Sequence, residues 1–218
     1  ESGLIIEIGE WIIKKSCEYA QSFNQQAKDE LVIAINISAK QLVHGKLVAV
    51  IKRALHDTGL SAACIEIEIT ESSTMSDFDE ALSIIQKIRK MGIKVSLDDF
   101  GTGYSSLSYL HRLPVNKLKI DQSFINNMIN NKRDASITRS IITLAKSLNL
   151  TVIGEGIEHP EQMNKLKEWG CNEIQGFLFA RPESAENFMA LVNRHSPERW
   201  LKTQTQLFDS DTTNTRAI

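Results

Sequence analysis

The sequence predicts an α/β protein built on a parallel sheet, and three observations carry that prediction. Short apolar or alternating runs recur between stretches of helical period, and the connections between them are short. Nearly every run ends in a polar functional group: Asn36, Glu68, Asp98 with Asp99, Lys119 with Asp121, Glu155 and Gln175. The chain also opens on a helix that has no strand before it. An open doubly wound sheet places its chemistry at one switch point. Polar groups at many strand ends fit a (β/α)8 barrel, whose site is gathered from the C-terminal ends of several strands. Six strands and an orphan leading helix are what remains of such a barrel without its first two strands, so the sheet is expected to stay open.

Residues 8–23 have helical spacing, with Ile8, Ile12, Tyr19 and Phe23 as the apolar stripe and Trp11, Ile13 and Ala20 beside it. The β-branched run Leu31–Ile37 predicts a buried strand. A helix follows with Leu47, Ile51 and Leu55 on one face, closed by Gly59. Cys64–Thr70 alternates strictly with period two, the pattern of a strand. Ser76 is the candidate cap of a helix striped by Phe78, Leu82, Ile85 and Ile88, and Gly92 ends it. The next strand starts at Ile93 and runs into Asp98-Asp99, followed at once by the glycine- and hydroxyl-rich stretch 101–106. Asn116–Asp121 alternates again, and Ile137, Ile141, Leu144 and Leu148 mark a helix. Thr151–Gly156 is a strand with an acid near its end. Pro160 starts a helix through Met163, Leu166 and Trp169, stopped by Gly170. Glu173–Phe179 is the last expected strand, and a helix around Phe188, Leu191 and Val192 follows.

At 218 residues the chain is long enough for one large domain, and no inter-domain linker or internal repeat interrupts it. Its domain is expected over residues 1–195, with a polar, disordered tail over 196–218. A formal net charge of −2 argues against a broad surface for DNA, RNA or membrane, so an anionic substrate would need local Lys/Arg or metal ions. Cys17, Cys64 and Cys171 are scattered, with no CxxC pair, which fits reduced thiols in the cytoplasm. No apolar run approaches membrane-spanning length. The first residues lack a signal-peptide pattern and an initiator Met, so the chain reads as a piece of a longer polypeptide, in the cytoplasm whether or not that polypeptide is anchored in a membrane elsewhere.

Side-chain alternation sharpens the candidate site. In the second strand Ile65, Ile67 and Ile69 share one face, while Glu66, Glu68 and Thr70 share the other; in the fourth, Leu118 and Ile120 oppose Lys117, Lys119 and Asp121. Helices cover the outside of a barrel, so the charged faces are expected inside. Buried charge persists only when paired or bound to metal. Glu66 and Lys117 are expected to pair below the site. Adjacent carboxylates such as Asp98 and Asp99 repel each other unless a cation or a proton lies between them. On its own this stretch reads equally well as a strand ending in a polar turn. With Glu68 and the amide of Asn36, it forms a hard oxygen site suited to Mg2+ or Mn2+, and the scarcity of neighbouring His argues against zinc. Two such ions about 4 Å apart can clamp the attacking and leaving oxygens of a phosphodiester. A lysine among them can orient the attacking water.

Asn36-Ile37-Ser38 with Gln41-Leu42, Glu68-Ile69-Thr70-Glu71, the stretch from Asp98 to Leu107, Lys119-Ile120-Asp121, Glu155-Gly156-Ile157-Glu158 and Gln175-Gly176-Phe177 occur in order. Together they closely resemble the EAL-domain family of cyclic-di-GMP phosphodiesterases, over the chain from its start to about Val192. The resemblance implies a TIM-like barrel with one reversed strand, and hydrolysis of cyclic di-GMP to linear pGpG with Mg2+ or Mn2+. It implies Asn36, Glu68, Asp98 and Asp99 as metal ligands and Lys119 as holder of the nucleophilic water. Glu155 would act on a metal-bound water or as base, with Gln175 nearby. Glu71 and Glu158 would brace the loop and the site, and Asp121 would support it. The loop from Asp99 to Leu110 and the helix after it would couple metal binding to homodimerisation. Sensory or GGDEF domains are the expected neighbours in the full-length protein.

The sequence departs from the family at one place. The Glu-Ala-Leu motif, with the Arg two residues beyond it, is absent; in relatives it lies just upstream of the segment resembling Glu1–Ile5. The missing Glu is a metal ligand and the missing Arg contacts substrate phosphate. Because six other motifs are retained, the two N-terminal strands are expected to exist in the natural protein. The competing readings are a catalytically silent cyclic-di-GMP receptor and a different metallohydrolase on the same barrel.

Overall fold

The computed structural model describes residues 3–27, 30–75, 77–102 and 107–194. Contacts divide the chain into a unit of residues 1–178, which holds the whole sheet, and a second of residues 179–218, whose described part contains the expected helix α10 (Ala185–Arg194). The tail beyond Arg194, the cap proposed at Ser76 and the loop residues 103–106 lie outside the described residues.

Six strands form one parallel sheet in strict chain order: β1 (Ile33–Ile37), β2 (Ile65–Thr70), β3 (Lys94–Phe100), β4 (Lys117–Ile120), β5 (Thr151–Gly154) and β6 (Glu173–Ile174). Each neighbouring pair is parallel, and among the described residues β1 and β6 each have one partner, so the sheet is open there, as expected. The main helices alternate with the strands: α1 (Leu4–Gln26), α3 (Leu47–Thr58), α5 (Phe78–Lys90), α8 (Lys132–Ser147) and α9 (Pro160–Trp169). Between them lie the short helices α2 (Ala39–Leu42), α4 (Glu71–Met75), α6 (Leu107–Arg112) and α7 (Gln122–Asn127), which the sequence reading did not separate from loops because each is under two turns long.

The core lies between the outer face of the sheet and these helices. Ile65, Ile67 and Ile69 are fully buried there with Val95, Leu97, Leu118, Ile120 and Val152, against Ile51, Ile85, Ile88 and Ile142 from the helices. Each such side chain removed from water contributes about 1.5–3 kcal/mol before entropy is charged against it. The glycine stops hold: Gly59 and Gly170 close α3 and α9 in the left-handed region at φ 67° and 77°, and Gly92 follows α5 at φ 89°. Asp77 caps α5, its carboxylate accepting from the Glu80 N–H at 3.1 Å.

Two expectations fail locally. The buried face of α1 is Gly9, Ile13, Cys17, Ala20 and Phe23, while Ile8, Trp11, Ile12 and Tyr19 are exposed. Small residues mark the packed side because α2 lies close: a Cβ on Gly9 would fall 1.7 Å from Gln41 Nε2. The last strand also stops after Ile174 instead of running to Phe179. There the chain turns around Ile157, whose N–H donates to the Gln175 carbonyl at 3.0 Å and whose carbonyl accepts from the Leu178 N–H at 2.8 Å.

Candidate active site

The strand ends converge on Lys119. Its side chain is 3% exposed, and its ammonium lies 3.0 Å from Glu68, 3.1 Å from Asp98 and 2.7 Å from Glu155. Those four residues come from β2, β3, β4 and the end of β5, so parallel alignment alone brings them to one rim. Carboxylate oxygens of Asp98, Asp99 and Glu155 all lie within 4.8 Å of one another.

Strand alternation would send Asp98 and Asp99 to opposite faces. A register shift between Leu97 and Phe100 and a left-handed backbone at Asp99, φ 55°, bring both to the site instead. A bulge that re-aims a side chain is a common device beside functional sites, and Asp is one of the few side chains that tolerates that backbone region. Asp98 secures the turn by accepting from the Asp99 N–H at 2.9 Å.

The supporting residues surround this cluster. Glu71 is buried at the start of α4 and accepts from the Gly101 N–H at 3.4 Å, tying it to the loop that leaves β3. Asp121 caps α7, accepts from the Ser123 N–H at 3.0 Å and interacts with Asp99. Asp99, Asp121, Gln122, Glu155, Glu158, Gln175 and Phe177 line one open pocket of about 280 Å³. Glu158 and Gln175 have exposed side chains there. Asn36 stands beside Glu68 in the sheet register and is exposed on the open side of β1. The structure thus gathers Glu68, Asp98, Asp99, Lys119 and Glu155 tightly, and leaves Asn36, Glu158 and Gln175 on the periphery.

One strand position below, Lys117 pairs with Glu66 at 3.1 Å, as expected, and with Glu173 at 2.7 Å. Glu173 was missed as a partner of Lys117 because their pairing crosses from β4 to β6, a relation that only the assembled sheet shows.

The electrostatics show a cluster short of positive charge. Burial is the largest influence on Glu155 and pushes its carboxyl up to about 7, with Asp98 and Glu68 adding to the shift against the pull of Lys119. Burial likewise raises Glu68 despite Lys119. Burial, then Asp98 and Asp121, raises Asp99. For Lys119 burial acts downward, but the hydrogen bond to Glu155 and the charge of Glu68 outweigh it, so its ammonium holds its proton above the usual range. Acids reluctant to ionise beside a firmly charged lysine are the signature of a site that would gain from a further cation.

The sequence profile of the EAL domain matches residues 1–182. The chain belongs to the EAL domain family. It is 42% identical over 192 residues to the bifunctional diguanylate cyclase/cyclic di-GMP phosphodiesterase MucR of Pseudomonas aeruginosa, covering 88% of this chain and 28% of that protein. The solved PaMucR phosphodiesterase in complex with c-di-GMP superposes with a TM-score of 0.82 at 42% identity, over 85% of this chain and 75% of that one. Klebsiella pneumoniae BlrP1, solved with manganese and cyclic di-GMP, gives 0.70 at 31% identity, over 79% and 45%. EAL domains are TIM-like barrels, so the six parallel strands here have the family's architecture without a closed ring. Divalent metals are general to EAL phosphodiesterases, and the residues of this chain fit such an ion: three convergent carboxylates supply the hard oxygen donors that it prefers.

Proposed function

We propose that this EAL domain hydrolyses cyclic di-GMP to linear pGpG, using Mg2+ or Mn2+. The observation that carries the reading is the convergence of Asp98, Asp99 and Glu155 within 4.8 Å beside the buried Lys119. The names of relatives at 42% and 39% identity, both cyclic di-GMP phosphodiesterases, support it. Glu68, Asp98 and Asp99, with Asn36 at the rim, would hold the metal, which when bound activates water and neutralises charge on the phosphate. Lys119 positions the attacking water and offsets charge that builds on the phosphoryl oxygens. The water oxygen bonds to phosphorus, the P–O3′ bond breaks, and the freed 3′ oxygen takes up a proton. Glu155 is placed to accept the proton lost by the water, its carboxyl lying near 7. Glu71 fixes the loop after β3, Asp121 braces Asp99, and Glu158 and Gln175 line the substrate side of the pocket.

In the same reading the domain runs to about residue 195, with residues 196–218 as a tail. It forms a homodimer through the loop and helix after Asp99, and works in the cytoplasm, where a second messenger acts. The chain spans 28% of MucR, which fits a domain carried beside sensory or GGDEF modules. Among the described residues no helix is long and apolar enough to cross a membrane. The test is incubation of the protein with cyclic di-GMP and Mg2+ or Mn2+, followed by chromatography. Appearance of pGpG is the expected result. Cyclic di-GMP bound but unchanged would make the domain a receptor, and neither binding nor turnover would reject both readings.

A further inference from the structure

We propose that Lys119 is the resident cation of this site: without metal it holds Glu68, Asp98 and Glu155 together, and it competes with an incoming divalent ion for them. The inference rests on the metal-site reading above. An ammonium has three N–H donors and no acceptor. Here each donor has its own carboxylate, at 2.7–3.1 Å, on a side chain that is 3% exposed. Three acids, from β2, β3 and the residue that follows β5, are therefore tied to one point by one residue of β4. Asp98 and Glu155 are also two of the three acids whose oxygens converge for a metal.

A role confined to orienting water requires none of this saturation. If the lysine serves as counter-ion, its removal has two opposite effects. The metal-free site loses the only ammonium that touches these acids among the described residues, and buried carboxylates without a partner are strongly destabilising. A metal ion entering the altered site meets no positive neighbour and finds the same oxygens free, so it binds more tightly. Lys117 supplies an internal control. It is a second, half-buried ammonium, bonded to Glu66 and Glu173 and, among the described residues, to none of the three acids above.

The experiment measures Mn2+ binding by calorimetry and melting with and without Mn2+ on the full chain, as wild type, Lys119→Met and Lys117→Met. Lys119→Met is expected to melt below wild type without metal, to bind Mn2+ about tenfold more tightly, and to show the larger melting shift on saturation. Lys117→Met is expected to melt lower as well, with Mn2+ affinity within about threefold of wild type. If Lys119→Met folds only when Mn2+ is present, the proposal stands; if it fails to fold at saturating Mn2+, the proposal falls. It falls too if Lys119→Met binds Mn2+ no more tightly than wild type, or if both variants tighten alike. A wild type that binds no Mn2+ would instead reject the metal site itself.

Discussion

At the scale of single residues, the site depends on Asp98 and Lys119 more than on any exposed group. Asp98 bonds both the ammonium of Lys119 and its own neighbour's N–H, so the isosteric Asp98→Asn keeps the shape while removing the charge. Turnover of cyclic di-GMP is expected to be lost in Asp98→Asn and in Lys119→Ala, by at least about 10²-fold, the size typical of losing one electrostatic stabiliser. Full activity in either variant would reject their roles. Glu155 gives a second prediction with a definite sign. Its carboxyl is raised from 4.5 to about 7 by burial in the metal-free fold, so between those values the folded state binds more proton than the unfolded chain. That contribution to stability is complete below about pH 4.5 and fades as pH rises through about 7. Metal bound to the carboxylate favours its ionised form and should flatten or reverse the trend. Urea unfolding between pH 5 and 8, with and without Mn2+, measures it; metal-free stability that rises over this range would contradict the assignment.

At the scale of elements, the strands were legible where their period was strict. Ile65–Thr70 announced both its buried isoleucine face and its charged face, and the pair of Glu66 with Lys117 followed from alternation alone. What alternation hid was the bulge: nothing in Ser96-Leu97-Asp98-Asp99 shows that both acids face one way, because the register shift is a property of two strands together. The same holds for α1, where the apolar stripe through Ile8 and Ile12 is exposed and the packed face runs through Gly9, Ile13, Cys17, Ala20 and Phe23. At Gly9 it is the close approach of the Gln41 side chain that leaves no room for a larger residue. The short β6 is a third case. A Cβ on Gly176 would lie 2.2 Å from the Ile157 N and carbonyl O, which are backbone atoms with little room to move. Gly176→Ala is therefore expected to break the two hydrogen bonds around Ile157 and destabilise the fold by roughly 2–3 kcal/mol. It should also weaken substrate binding in the pocket lined by Gln175 and Phe177. A denaturation midpoint unchanged from wild type would show that the turn is not built on this glycine.

At the scale of the whole molecule, both edges of the sheet and one face of α1 lack a partner among the described residues. β1 has a neighbour on one side, and its sequence, Ile-Ala-Ile-Asn-Ile, contains no charge and no proline to discourage pairing with another strand. The edge at β6 is two residues long and poses less risk. Near β1, α1 exposes Leu4, Ile5, Ile8, Trp11, Ile12 and Tyr19 along its length, with Trp11 62% accessible. Isolated exposed leucines carry no such message, but a continuous stripe beside a bare strand edge does. The 218-residue chain by itself is thus expected to self-associate as its concentration rises, and to bind a hydrophobic dye in the folded state. Ile8→Lys with Trp11→Lys should reduce both effects without lowering the melting temperature, because neither side chain packs into the core. Light scattering and dye fluorescence over a dilution series decide it: a wild-type chain that remains monomeric and dye-silent at high concentration would mean that the edge and the stripe are covered by some other arrangement of the same residues.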